Sequence, residues 1–175
     1  GPSRIAVVYA QGEIIYGEGG KNIIGQEKII ESLRKIGEKK NIKAVVLRVN
    51  SPGGSALASE LIWEEIEHLK KTKKVVVSMG NVAASGGYYI AAGADEIVAE
   101  PTTITGSIGV WGLLPNFNRL ASRWGINAEQ VTTNKQALQY SPFEPINNAT
   151  KQEFKIGINQ VYETFLGRVA AGRNM

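Results

Sequence analysis

Cysteine is absent from the 175 residues, so disulfides, thiolate nucleophiles and thiolate metal sites are excluded. Histidine is nearly absent: His68 is the single one, in Glu67-His68-Leu69-Lys70-Lys71, toward the polar end of a helix expected over 56–71. It lies about four turns beyond the glycine turn that opens this helix, the wrong end for a catalytic triad. No apolar run reaches the roughly 18 residues of a membrane span, and no signal peptide stands before the first apolar strand. A soluble piece is therefore expected. Charge of one sign is not concentrated anywhere. The net charge is +4, but lysines and acids are interleaved through stretches such as 27–40, which is the pattern of a solvated face and not of a nucleic-acid stripe. No cofactor and no metal are expected. With 43% hydrophobic residues the chain can bury one sizeable core, and one domain over 4–175 is expected, Gly1-Pro2-Ser3 reading as the remnant of a cleaved tag.

What is there is organised around Met79-Gly80-Asn81-Val82-Ala83-Ala84-Ser85-Gly86-Gly87-Tyr88-Tyr89. An apolar strand, 74–79, runs into small residues and a serine, after which two glycines open a segment suited to a helix. A serine at a strand-to-helix turn has its hydroxyl pushed out of the backbone, with the next N–H pointing toward whatever the hydroxyl attacks. Ser85 is thus the candidate nucleophile and Gly86 a candidate oxyanion donor, although Ala-Ser-Gly-Gly alone also suits a tight turn with a capping serine. A second strand ends in Asn50-Ser51-Pro52-Gly53-Gly54-Ser55. In a parallel sheet both turns lie at the carboxyl ends of their strands, where open α/β folds place their sites. Gly54 would then offer a second N–H across from Ser85; composition alone equally allows a plain turn.

The two turns with their flanks, together with Ser78-Met79-Gly80 and Thr105-Gly106-Ser107-Ile108-Gly109-Val110, resemble the signal peptide peptidase A (protease IV) family. The resemblance covers nearly the whole chain. It implies an α/β fold of the crotonase/Clp-protease-like superfamily: repeated β-β-α units, with a mostly parallel sheet flanked by helices. It implies a serine endopeptidase that degrades signal-peptide remnants and other apolar polypeptides with a Ser/Lys dyad. Without a usable histidine, a serine needs another base, and a desolvated lysine can serve. In the family the serine at the Ser107 position hydrogen-bonds that lysine. Ungapped alignment from Ser141-Pro142 puts the lysine position at Ala137, with Lys135 two residues earlier. Because long family members are tandem, the resemblance implies that this is the second copy, with its lysine supplied by an upstream domain; Lys135 is the alternative base. It further implies a ring or dome of subunits and anchorage, outside this sequence, to the outer face of the bacterial cytoplasmic membrane. The chain ends before the family's last segments, so a truncated domain is expected. Two other readings fit the residues: a crotonase-like acyl-CoA enzyme, sharing the fold and oxyanion glycines, and a non-catalytic assembly module.

Along the chain, the pattern predicts a strand over 4–10 and a mobile loop over 11–20. A helix follows over 24–40, then a strand over 42–49 covered on both faces. Further on it predicts a strand over 94–99 and a helix over 116–124 with Phe117 and Leu120 inward. A strand over 125–132 and a long helix over 150–173 capped by Thr150 complete the pattern. Val82, Ala83, Ile108, Val110 and Trp111 are expected to line an apolar cleft.

Overall fold

The computed structural model describes residues 2–129, 131, 133 and 140–175. They form two compact units, Gly1–Gly109 with Tyr162–Met175, and Val110–Val161. In chain order the first unit holds β1 (Arg4–Gln11), β2 (Glu13–Ile15), β3 (Gly19–Gly20), β4 (Ile23–Gly25), α1 (Gln26–Glu38), β5 (Ile42–Ser51), α2 (Ala56–Lys70), β6 (Lys74–Ala84), α3 (Gly86–Ala92), β7 (Glu96–Val98) and β8 (Ile104–Gly106). The second holds α4 (Asn118–Arg123) and the start of α5 (Asn148–Arg173), whose last turns belong to the first unit.

The main sheet has the order β1-β5-β6-β7, with β8 also on β6, and every pairing is parallel. Val45, Leu47 and Val49 of β5 and Val75, Val77 and Met79 of β6 point into the core, where they meet Leu33, Ile62, Ile66 and Ile90 of the helices. Among the described residues of the first unit, this sheet is covered on one face only. Ile5, Val7 and Tyr9 of β1 are 66%, 52% and 71% exposed, and in β5 the half-buried Val46 and exposed Arg48 alternate with the core residues. The unbroken apolar run of β5 therefore does not mark a strand buried on both sides.

The expected loop over 11–20 is instead a small second sheet, ordered β2-β4-β3. Its strands are too short for periodicity to register, but Ile14 is fully buried and anchors it. Gly54 makes an isolated parallel bridge to Ile14, so the turn after β5 joins this sheet before α2 begins.

Between β5 and β6 the register slips: Val49 opposes Met79, but Ser51 opposes Ala83. The slack is taken up by Asn50, whose Oδ1 accepts a hydrogen bond from the Val82 amide at 3.1 Å. Gly80 leaves room for it, since a Cβ there would lie 2.8 Å from Asn50 Oδ1. This side chain standing in for backbone lets β6 run on to Ala84, directly before Ser85.

In the second unit Phe117 and Leu120 are 48% and 55% exposed, so the inward face expected of this short helix is not formed. With Ala121, Trp124, Ile126 and Phe143 they line an apolar pocket of about 220 Å³. Residues 125–129 form no strand. Ser141-Pro142 is tied down through the Phe117 amide, which donates to Pro142 O at 2.6 Å. Helix α5 is capped by Asn147, not Thr150: Asn147 Oδ1 accepts from the Thr150 amide at 2.8 Å, the usual reach of a cap to the third helical residue. Among the described residues no helix is long and apolar enough to cross a membrane.

The end of α5 docks on α2 and α3. Phe165 stacks on Tyr89 at 4.7 Å, Arg168 pairs with Glu60 at 2.6 Å, and Arg173 donates to the Tyr88 hydroxyl at 2.7 Å. The backbones come close enough that a Cβ at Gly172 would lie 2.0 Å from Ala92 O, whereas one at Gly167 meets nothing within 4 Å. Gly172→Ala is therefore expected to destabilise the fold by about 1–3 kcal/mol, and Gly167→Ala to stabilise it by about 0.5–1 kcal/mol. Chemical denaturation of the two variants checks the contrast.

Candidate active site

Ser85 joins β6 to α3 with φ +51° and ψ −122°, a backbone conformation that residues bearing a Cβ rarely adopt. It is held there from both sides. Its amide donates to Gly106 O of β8 at 2.9 Å, and its carbonyl accepts from the Tyr89 amide at 2.9 Å. Its side chain makes no capping bond, so the hydroxyl is left free of the helix it precedes.

The Gly53-Gly54 turn lies against it. A Cβ at Gly53 would sit 2.7 Å from the Gly86 nitrogen and 2.8 Å from Ser85 Cβ, and one at Gly86 would sit 3.3 Å from the Gly54 nitrogen. Both Gly53 and Gly54 have positive φ, +103° and +149°. Ser51 Oγ, fully buried, accepts from the Gly53 amide at 3.1 Å and fixes the turn. The bridge to Ile14 uses Gly53 O and the Ser55 amide, and among the described residues the Gly54 amide is left unspent. The Gly86 amide is the first of α3 and has no acceptor within its helix. Among the described residues the Gly54 and Gly86 amides have no acceptor, and both lie beside Ser85, as the N–H pair of an acyl-transfer site would.

The structure brings Ser85, Gly54 and Gly86 together, with Ser107 one step away. Ala84 opposes Gly106 in the last pair of the β6–β8 ladder, and Ser85 and Ser107 are the residues that follow them; Ser107 is exposed and has φ +49°. Lys135 and Ala137 lie outside the described residues. His68 is exposed in the last turn of α2, at the other end of the helix that Ser55 caps. Lys73 is buried but donates to Lys39 O and Ile42 O, both at 2.9 Å, beside the start of β6 and so at the far end of that strand from Ser85. Of the expected cleft residues, Ala83 is fully buried and presents no surface, because its side chain points into the core. Val82 and Ile108 are half-buried, and Trp111 is 83% exposed. Among the described residues no group of acids and histidine could hold a metal ion.

Sequence reasoning missed the support beneath the turn. Tyr89, whose amide holds Ser85, donates its hydroxyl to Glu60, which Arg168 also grips; the Arg168 guanidinium lies 3.9 Å from the Trp63 ring centre. Burial first, then the hydrogen bond and charge of Glu60, push the Tyr89 phenol well above its usual value. The signal was scattered over three helices, and no local pattern links positions 60, 89 and 168.

A profile of Peptidase family S49 matches residues 67–175. The chain belongs to peptidase family S49. A Clp protease profile also matches residues 5–105, in keeping with a crotonase/Clp-protease-like α/β fold. Among curated relatives, Protease 4 of Haemophilus influenzae is 44% identical over 99% of this chain, and the chloroplastic serine protease SPPA of Arabidopsis thaliana 40% identical over 100% of it. The chain spans only 28% and 27% of those proteins.

Two outcomes follow from the geometry of the Ser85 turn. In the chain joined to an upstream domain that supplies a base, Gly53→Ala is expected to cut the rate of Ser85 labelling by a fluorophosphonate at least about a hundredfold, the scale of losing an oxyanion donor, because its Cβ intrudes on both Gly86 and Ser85. Tyr89, with its folded pKa raised, contributes stability fully present below pH about 10 and lost as the pH climbs further. The advantage of the wild type over Tyr89→Phe in denaturant midpoint should accordingly hold up to about pH 10 and shrink as the pH rises above it.

Proposed function

We propose that this chain is the serine-bearing domain of a serine endopeptidase, and that its general base is a lysine from an upstream domain. The observation that carries this reading is the strained Ser85 turn, with a free hydroxyl between the uncommitted Gly54 and Gly86 amides. The names and lengths of the S49 relatives support it: both are proteases several times longer than this chain.

In this reading a neutral lysine amine takes the proton of Ser85 Oγ as the oxygen bonds to the scissile carbonyl carbon. The carbonyl oxygen becomes an oxyanion held by the Gly54 and Gly86 N–H groups. Collapse breaks the C–N bond, and the lysine returns its proton to the leaving amine. Water then attacks the serine ester carbonyl, giving up a proton to the same lysine; collapse breaks the ester C–O bond, and the lysine returns that proton to Ser85 Oγ as the acid leaves. Ser107 would hold the lysine amine in line. The base sits in no conventional triad because the single histidine is remote. Substrates are extended apolar peptides such as signal-peptide remnants. Assembly into a ring or dome on the outer face of a bacterial cytoplasmic membrane belongs to the same reading.

The test is peptidase activity on an apolar peptide ester, measured for the chain alone, for Lys135→Ala, and for the chain joined to the N-terminal domain of a longer relative. The isolated chain should be inactive, the joined protein active, and Ser85→Ala in the joined protein silent. Activity of the isolated chain that vanishes with Lys135→Ala would assign the base to Lys135 and overturn the divided dyad.

A further inference from the structure

Tyr9, Gln11, Arg48, Asn50, Gly80 and Asn81 line a pocket of about 250 Å³ that nothing in the proposed chemistry uses. It lies toward the carboxyl ends of β1, β5 and β6, on the face of the main sheet that the helices leave open. Tyr9 opposes Arg48, Arg48 opposes Ser78, and Gln11 opposes Asn50, so these side chains share that face.

Arg48 is held in a fixed pose. Its Nη1 donates to Ser78 Oγ at 2.8 Å and to Met79 O at 2.6 Å, which uses both protons of that nitrogen. Among the described residues Nε and Nη2 have no acceptor, and none of the five ion pairs involves Arg48. The Nε and Nη2 edge of a guanidinium presents two parallel N–H groups, the fork that matches a carboxylate. Around it the lining is rich in donors. Asn50 has spent Oδ1 on the Val82 amide, so its Nδ2 remains, and Asn81, Gln11 and the Tyr9 hydroxyl complete the wall. Among the described residues no acid lines the pocket and Arg48 is its single cation, which suits one negative charge and not a phosphate dianion. Carboxamides complement peptide groups, and the exposed Val7 and Tyr9 on the adjoining strand offer apolar surface for a terminal side chain.

We propose that this pocket is a carboxylate site that takes the free C-terminus of a peptide. It is separate from Ser85 and does not depend on the peptidase reading. The test is an NMR titration of the ¹⁵N-labelled chain with N-acetyl-alanyl-leucine, with its C-terminal amide, and with inorganic phosphate. The free acid should shift the Arg48 Nε and the Gln11 and Asn81 side-chain amide signals to saturation, while the amide needs at least tenfold higher concentration. Asn81→Asp, on an exposed residue, should weaken binding of the acid at least tenfold without altering the fold; it complements Arg48→Gln, which also loosens β6. Equal binding of acid and amide would overturn the proposal, as would an Asn81→Asp protein that binds like wild type. Phosphate binding as tightly as the acid, or an absence of shifts at these residues, would overturn it too.

Discussion

Everything at the site depends on one backbone constraint, the conformation of Ser85. A residue with a Cβ held at φ +51° and ψ −122° costs on the order of 1–3 kcal/mol, so the surroundings must over-determine it. Here the surroundings are the Gly106 carbonyl on one side and the Tyr89 amide on the other, with Gly53 packed against the serine's Cβ. The strain has a chemical use. It keeps the hydroxyl out of the helix cap it would otherwise form.

The constraint is transmitted from far along the chain. Tyr89 supplies the amide that holds Ser85, and its ring and hydroxyl are fixed by Phe165, Glu60 and Arg168. The last turns of α5, some eighty residues beyond the serine in sequence, therefore belong to the same unit as the site. On the other flank the Asn50 side chain bonds β6 where the ladder slips, which lets the strand reach Ala84 and places the following serine against the Gly53-Gly54 turn. The two glycine turns meet because of a polar side chain in a strand and an aromatic one in a helix.

The parts of this arrangement that were legible in the sequence are those with local signals. The strand, glycine turn and helix around Ser85 announce themselves by composition, as does the turn around Gly54, and the parallel topology follows from strands alternating with amphipathic helices. Three features were not legible. The small β2-β4-β3 sheet has strands of two or three residues, below the reach of any period, and its glycines read as loop. The open face of β5 was hidden because Val46, half-buried, looks like core in a run of valines. Phe117 and Leu120 obey helical spacing yet are largely exposed, because spacing states which residues share a face and not what covers it.

A crystal structure of the chain, joined to an upstream domain, after reaction with a peptidyl phosphonate would show whether Ser85 and the two glycine amides act together. Ser85 Oγ is expected to be bonded to phosphorus, with the phosphoryl oxygen within hydrogen-bonding distance of both the Gly54 and the Gly86 nitrogens. An adduct on another residue, or a phosphoryl oxygen turned away from those two amides, would contradict it.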